Sequence, residues 1–143
     1  MNIKIKYHAQ IDELKNIEDT KSDWIDLRAA DNYYLHAGDF EYISLGVSME
    51  MPEGYEAHIA PKSSTFSRWG IIQTNGVGSV DNAFKGDNDI WVMPVYATRD
   101  ATINFNDRIC QFRLFKNQEP VTFEKVDTLG NEDRGGYGST GVK

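Results

Sequence analysis

The sequence predicts a small all-β domain of the sandwich, barrel or jelly-roll kind. Short runs rich in Val, Ile, Phe and Tyr recur along the chain, and turn-forming residues separate them. No helical segment alternates with these runs at the spacing that a parallel α/β sheet requires, which disfavours the Rossmann and P-loop architectures. With 143 residues the chain is long enough to bury one core, and we expect no second domain.

The predicted elements follow one another from the N-terminus. Residues 1–7 alternate apolar and polar side chains and predict a strand, whereas residues 11–17 predict one short amphipathic helical turn. The other predicted strands are short apolar runs, at residues 42–51, 55–60, 90–96, 107–115 and 121–126. We therefore expect one β-domain over residues 1–126. Residues 127–143 contain five glycines and little apolar content, so we expect an arm that is mobile unless a ligand orders it.

Composition narrows the functional classes. The chain has 22 acidic and 15 basic residues, and its formal charge of −7 argues against binding a nucleic-acid polymer, because that affinity comes from neutralising many phosphates. A small anionic ligand remains compatible, since it needs only a local pocket of donors. No apolar run could span a bilayer, and the start lacks the apolar stretch of a secretory signal. We expect a cytoplasmic protein without membrane contact.

The cysteine and histidine residues do not show the pattern of a metal site. The single cysteine, Cys110, cannot close an intrachain disulfide and lies between apolar neighbours, so we expect it in the core. His8, His36 and His58 lack the spacing of metal ligands, and a structural zinc site has no support.

The most unusual string is RGGYGSTG at residues 134–141. Glycines let the main chain approach a polyanion closely, and Arg134, Ser139 and Thr140 add charge and hydroxyl donors. Tyr137 could stack on a base. The string is not a Walker A loop, because it lacks the Lys-Ser/Thr pair and no helix follows it. It indicates phosphate binding, with a plain flexible C-terminus as the alternative.

Two further strings suggest nucleotide chemistry. Lys62, Ser63 and Ser64 could grip phosphate oxygens, although the same residues also suit a solvated turn. Residues 75–86 predict a hairpin with an Asn-Gly turn, whose main chain could read the edge of a pyrimidine.

In this predicted hairpin Asp81 could orient a water, and Phe84 could pack under a sugar. The alternative is a hairpin with a capping Asp and a core Phe. Asp26 and Gln111 interrupt strand-like runs, and taken singly they fit surface or ion-pair positions.

Taken in order, the strings resemble the five signature motifs of the homotrimeric dUTP pyrophosphatase (dUTPase) family. The matching segments are DLRA at 26–29, PKSS at 61–64, NGVGSVDNAFKG at 75–86, NDRICQ at 106–111 and RGGYGSTG at 134–141. The resemblance implies a distorted jelly-roll subunit that assembles as a homotrimer. It further implies active sites that collect motifs from neighbouring chains, with the C-terminal arm closing over them. The implied activity is hydrolysis of dUTP to dUMP and pyrophosphate in nucleotide metabolism.

The resemblance also implies residue roles. Asp81 would position the water that attacks the α-phosphorus. The implied substrate-binding residues are Lys62, Ser63, Ser64, Asn75, Gly78, Ser79, Val80, Phe84, Gln111, Arg134, Tyr137, Gly138, Ser139 and Thr140. Mg²⁺ would bridge the triphosphate oxygens and keep several waters, with Asp26 touching it only through water.

This sequence departs from the family pattern at several positions. Lys62 stands where the family usually has arginine, which replaces a bidentate fork by a point charge. Phe84 replaces the usual tyrosine and Tyr137 the usual phenylalanine, and both keep a flat aromatic face. The residues Trp24-Ile25 and the string at 86–91 resemble a phage-type branch, which would place the protein in the cytoplasm of a host cell.

Two other functions stay open on the sequence. A dCTP deaminase of the same fold would need a glutamate in the strand after the third motif, and residues 90–96 contain none. A non-enzymatic β-sandwich interaction module would use its glycine-rich end only as a tether. The sequence leaves open a regulatory protein partner.

Overall fold

A computed structural model describes residues 1–138 and confirms the predicted all-β class. These residues form eleven strands and two short helices. In chain order they are β1 (Lys4–Tyr7), α1 (Ile17–Thr20), β2 (Ile25–Arg28), β3 (Tyr33–Leu35), β4 (Phe40–Ser44), β5 (Val47–Glu50), β6 (Tyr55–Pro61), α2 (Thr65–Trp69), β7 (Ile71–Gln73), β8 (Gly78–Val80), β9 (Val92–Ala97), β10 (Ala101–Ile103) and β11 (Arg108–Lys116). In this part of the chain no helix is long and apolar enough to cross a membrane.

The strands form antiparallel sheets wrapped around one core, as in a distorted jelly roll. The largest sheet has the strand order β2-β11-β6-β8, and a second has the order β4-β9-β7. Two smaller ladders pair β1 with β5 and β10 with β3. Strands far apart in sequence are therefore neighbours in space, which brings widely separated motifs together.

The core forms where one face of each sheet is apolar. On β11, Ile109, Cys110 and Phe112 are buried, while Arg113 is exposed. Phe112 packs edge-to-face against Trp91, with ring centroids 5.2 Å apart. Cys110 is fully buried, as predicted. The outer face of the four-stranded sheet keeps the polar residues, and the candidate site lies on that face.

The strand predicted at residues 42–51 is two strands. Gly46 adopts a left-handed φ of +66° between β4 and β5, and this bend directs the two strands into different sheets. A Cβ on Gly46 would lie 2.8 Å from the Cβ of Ala30, so the close approach of the two segments also requires glycine.

The helical turn predicted at residues 11–17 is wrong. The Asp12 N–H donates to Asn106 Oδ1 and the Leu14 N–H donates to the Tyr7 hydroxyl, both at 2.8 Å. Because distant side chains satisfy these amides, the segment stays extended and buries Ile11. The short helix begins only at Ile17.

The strand predicted at residues 121–126 is also wrong. Asn117 N–H donates to Gly54 O, and residues 117–138 are exposed without regular secondary structure. Val121 and Phe123 are 54% and 95% exposed, and the segment pairs with no strand of the described chain. The expected arm is residues 127–143, and its described part, residues 127–138, is the distal part of this exposed segment.

Candidate active site

Three of the sequence strings meet at one end of the four-stranded sheet. Asp26 on β2 lies opposite Gln111 on β11, and Gln111 lies opposite Ala60 on β6. Lys62 Nζ donates to Asp26 Oδ1 at 2.7 Å, and Gln111 Nε2 donates to Pro61 O at 3.1 Å. The fold therefore brings together residues up to 85 positions apart in the sequence.

The surface here is a cation-rich concavity. Its volume is about 360 Å³, and its lining includes Asp26, Lys62, Arg108 and Gln111. Four of the lining side chains are cationic and two are acidic, although the whole chain is acidic. Arg108 Nη1 lies 3.6 Å from Asp26 Oδ2, so one carboxylate faces two cations. Such a basin suits a polyanionic ligand such as a phosphate chain.

The turn that carries Lys62 is fixed by Thr65, which the sequence analysis did not single out. Thr65 is fully buried, its hydroxyl donates to Ile109 O at 3.0 Å, and it accepts the Lys62 N–H at 2.8 Å. Ser63 and Ser64 remain exposed in this turn. Their hydroxyls are thus held on the surface beside Lys62 by a buried anchor.

Arg28 lies in the first string, but the sequence analysis gave it no role. Its Nη1 donates to Asn106 O at 2.8 Å, which joins the first string to the fourth. Only the backbone carbonyl of Asn106 is involved, so no pattern of side chains could have indicated the contact.

Burial and charge control the one thiol near the concavity. Burial raises the pKa of Cys110, the Asp26 carboxylate raises it further, and Lys62 opposes the rise. The thiol therefore stays protonated and is not a nucleophile.

The third string lies elsewhere on the same sheet. β8 pairs with β6 so that Val80 faces Ala57 and Gly78 faces Ile59. β7 belongs to the other sheet, so residues 75–86 do not form the predicted hairpin. The chain instead crosses from one sheet to the other at the Asn75-Gly76 turn.

The side chains of this string divide between core and surface. Val80 is buried, whereas Ser79 and Asp81 are exposed and Phe84 is 40% exposed. Asn82, another residue the sequence analysis missed, donates to Pro52 O and Tyr55 O at 2.9 Å each. These two bonds fix the loop that presents Asp81.

Asp81 and Lys62 lie at opposite ends of β6. Val80 faces Ala57, five positions from Lys62, and at about 3.3 Å per residue the separation along the strand is roughly 16 Å. One chain therefore does not bring Asp81 to the concavity that holds its own Lys62.

The described part of the arm is exposed. Arg134, Gly135, Gly136, Tyr137 and Gly138 are exposed, and Gly135, Tyr137 and Gly138 have positive φ angles. No side-chain hydrogen bond joins these five residues to the rest of the chain as described, residues 1–138. The predicted phosphate donors Ser139 and Thr140 lie outside the described residues.

Within residues 1–138, no group of three or more His, Cys, Asp or Glu side chains could hold a metal ion. The donors at the concavity are instead the ammonium, amide and hydroxyl groups that suit phosphate oxygens.

Comparisons with known proteins identify the family. The chain matches the dUTPase family model over residues 7–141. It is 52% identical over 143 residues to the SPbeta prophage-derived deoxyuridine 5'-triphosphate nucleotidohydrolase YosS of Bacillus subtilis (strain 168), with 100% of each chain covered. This relative agrees with the resemblance to a phage-type branch.

Solved structures give the same fold. The chain is similar to a dUTPase of Staphylococcus bacteriophage 80alpha with dUpNHpp, at a TM-score of 0.78 and 16% identity, covering 99% of both chains. A second similar structure is a dUTPase from phage phi11 of S. aureus, described with a structural Mg(II) ion. Its TM-score is 0.76 at 13% identity, covering 90% of this chain and 99% of that one. Fold, motif order and sequence agree over nearly the whole chain, which belongs to the dUTPase family.

Proposed function

We propose that this protein hydrolyses dUTP to dUMP and pyrophosphate. The observation that carries the proposal is the convergence of Asp26, Lys62 and Gln111 on one cation-rich concavity. Family membership supplies the substrate, because the prophage relative is named as a deoxyuridine 5'-triphosphate nucleotidohydrolase.

The triphosphate would bind at this concavity. Lys62 has three N–H donors, of which Asp26 engages one, so the ammonium keeps donors for phosphate oxygens while the carboxylate holds it in place. The exposed hydroxyls of Ser63 and Ser64 and the amide of Gln111 add neutral donors around it. The arm residues Arg134, Gly138, Ser139 and Thr140 would complete the enclosure from another chain.

Uracil would be read mainly by main chain. The backbone from Gly78 to Val80 lies at the sheet edge, where its outward N–H and C=O groups can pair with a pyrimidine edge, and the Asn75 amide can complete the pattern. Phe84 would pack against the deoxyribose through its exposed face. Tyr137, whose side chain is fully exposed, would stack over the base.

Asp81 would orient the attacking water. Its carboxylate accepts a proton as the water oxygen forms a bond to the α-phosphorus, in line with the bond to the bridging oxygen that breaks. Pyrophosphate leaves with the electrons of that bond, and dUMP keeps the new oxygen. Asn82 supports this role, since it fixes the loop without occupying the carboxylate.

Magnesium fits the substrate better than a protein cage. Bound Mg²⁺ would neutralise charge on the triphosphate oxygens and so favour pyrophosphate as a leaving group. The donors of this chain suit phosphate oxygens, so the direct ligands of the ion would be the triphosphate oxygens and water molecules. Asp26 would contact the ion only through its hydration shell.

A homotrimer would join the separated parts of the site. Val121 and Phe123 are exposed in the segment that precedes the arm, and a groove of about 660 Å³, lined by both apolar and charged side chains, opens beside β1 and β2. Within the described residues, β1 pairs only with β5 and β2 only with β11, so each has one open edge. These features support an assembly in which arms cross between chains.

The activity is tested by measuring pyrophosphate release from dUTP, dTTP, dCTP and UTP, with and without Mg²⁺. We expect Mg²⁺-dependent release from dUTP alone. Ammonia release from dCTP without pyrophosphate release from dUTP would establish the deaminase instead. Inactivity towards all four nucleotides would favour the interaction module.

The shared site is tested by mixing two inactive variants. One lacks residues 133–143 and keeps Asp81, and the other carries Asp81→Asn and keeps the arm. If one chain supplies Asp81 and another the arm, randomly mixed trimers regain up to about a quarter of wild-type activity, because each mixed trimer has one complete site. Mixtures that stay as inactive as either variant alone would contradict sharing.

A further inference from the structure

Gln73 ends β7 directly before the turn that the proposed function assigns to base reading. Its side chain is 5% exposed, although glutamine is usually a surface residue. We propose that Gln73 is a positioning residue for uracil specificity, which rests on the proposed function. Its amide would hold the 74–78 segment in the one shape that reads the base.

The first support is that Gln73 engages both polar groups of Gly76. The Gln73 carbonyl accepts the Gly76 N–H at 3.3 Å, and Gln73 Nε2 donates to Gly76 O at 3.2 Å. The same Nε2 donates to Ile59 O on β6 at 2.9 Å. One side chain thus connects the turn to the strand that runs beside β8.

The second support is the tight turn around Gly76. Val77 N–H donates to Asn75 O at 2.6 Å, which closes a three-residue turn, and Gly76 has a φ of +65°. On its other side, Thr74 N–H donates to Pro94 O at 3.0 Å. The orientation of the Asn75 side chain therefore depends on a turn whose central residue is held by Gln73.

The third support is close packing beneath Gly78. A Cβ on Gly78 would lie 2.9 Å from the Ile59 Cβ and 3.5 Å from Gln73 Nε2. The amide thus lies directly under the backbone that would face the pyrimidine. A side chain of different shape at position 73 would shift this backbone.

The two carbonyl acceptors fix the orientation of the Gln73 amide. A flipped amide would place Oε1 against the carbonyl oxygens of Ile59 and Gly76, where it could accept no hydrogen bond.

The test compares Gln73→Met and Gln73→Asn with wild type. Methionine keeps the length of the side chain and removes the donors, whereas asparagine keeps an amide that is too short. We expect the KM for dUTP to rise about tenfold in Gln73→Met and less in Gln73→Asn, with kcat within about threefold of wild type. The preference for dUTP over dCTP should fall in the same order.

Ser48→Ala is the matched control. Ser48 is also nearly buried and donates to a loop carbonyl, Asp87 O at 3.0 Å, but lies outside the 74–78 segment. It should lose stability without a change in KM or preference. Equal KM changes in this control and in Gln73→Met would overturn the proposal, as would an unchanged KM or a loss confined to kcat.

Hydrogen exchange separates this inference from the proposed function. In Gln73→Met the amides of Gly76 and Val77 should exchange faster, while those of β9 stay protected. This readout does not require turnover. If wild type fails to hydrolyse dUTP, the proposed function falls, whereas unaltered exchange at Gly76 and Val77 overturns the role of Gln73.

Discussion

Asp81 and Asn82 are adjacent in sequence and differ in their environment. The Asn82 amide donates hydrogen bonds to the carbonyl oxygens of Pro52 and Tyr55, around the β5–β6 turn, whereas the Asp81 side chain is exposed to solvent. Asn82 is held by hydrogen bonds, and it thereby positions the adjacent Asp81. This division explains how an exposed carboxylate can keep a defined position.

Replacing Asp81 by Asn should therefore remove chemistry and spare binding. We expect kcat to fall by at least about a hundredfold with the KM for dUTP nearly unchanged, because the amide cannot accept the proton of the water. Pyrophosphate release under steady-state conditions measures both constants. Asp87→Asn, the same change at a nearby exposed carboxylate, is the control and should stay near wild type. A rate for Asp81→Asn near wild type would remove Asp81 from the mechanism.

Cys110 makes the free energy of unfolding decrease with rising pH in the alkaline range. Its folded pKa is raised by burial, so above about pH 8.5 the unfolded chain loses a proton that the folded chain keeps. Stability is fully present below that pH and decreases as the pH rises. In Cys110→Ala the decrease above pH 8.5 should be shallower, by up to about 1.4 kcal/mol per pH unit. Chemical unfolding at one fixed protein concentration measures this, and parallel slopes would contradict it.

At the scale of elements, the long alternating strands were predictable and the short ones were not. The segments 55–60, 90–96 and 107–115 were predicted and correspond to β6, β9 and β11. The strands β3, β7 and β10, which were not predicted, have three residues each. A run of three residues is too short to show a hydrophobic alternation in the sequence. Such a segment becomes a strand only because it pairs with a strand that is distant in sequence.

The same limit applies to the site. The strings around Lys62, Asp81 and Gln111 carry recognisable chemistry, so the residue types could be chosen from sequence. Their supports could not. Their hydrogen bonds go to backbone carbonyl oxygens: Thr65 donates to Ile109, Gln73 to Ile59, and Asn82 to Pro52 and Tyr55. Every residue has a backbone carbonyl, so the sequence cannot indicate which one will accept.

Gly46 separates two elements that the sequence joins, and its replacement should show this. Gly46→Ala combines a positive φ with a Cβ 2.8 Å from Ala30 Cβ, so we expect a loss of at least about 2 kcal/mol in the free energy of unfolding.

Gly38→Ala is the matched comparison. Gly38 has a φ of +92°, but its Cβ would meet nothing within 4 Å, so only the backbone cost of about 1 kcal/mol applies. Denaturant unfolding compares the two variants. Equal losses would mean that the contact with Ala30 contributes nothing.

At the scale of the whole molecule, one chain folds around a complete core, but the parts of its proposed active site lie apart from one another. We expect a mass in solution of three times 16.2 kDa. Phe123→Asp should weaken this assembly, because an aromatic ring that is 95% exposed in one chain needs a neighbour to cover it. Light scattering over a dilution series measures the mass.

The control for this prediction carries the same new charge one position earlier. Thr122 is exposed and polar, so Thr122→Asp should assemble like wild type. If Phe123→Asp remained trimeric at every dilution and fully active, Phe123 would not stabilise the assembly.

The exposed segment 117–138, which includes the described part of the arm, has one kinetic consequence. It forms a tether with a root-mean-square span of about 25 Å if it behaves as a flexible coil. A tethered segment meets its target at an effective concentration on the order of millimolar. A detached peptide with the arm's sequence, added to an armless enzyme, would therefore need roughly millimolar amounts to do the same work.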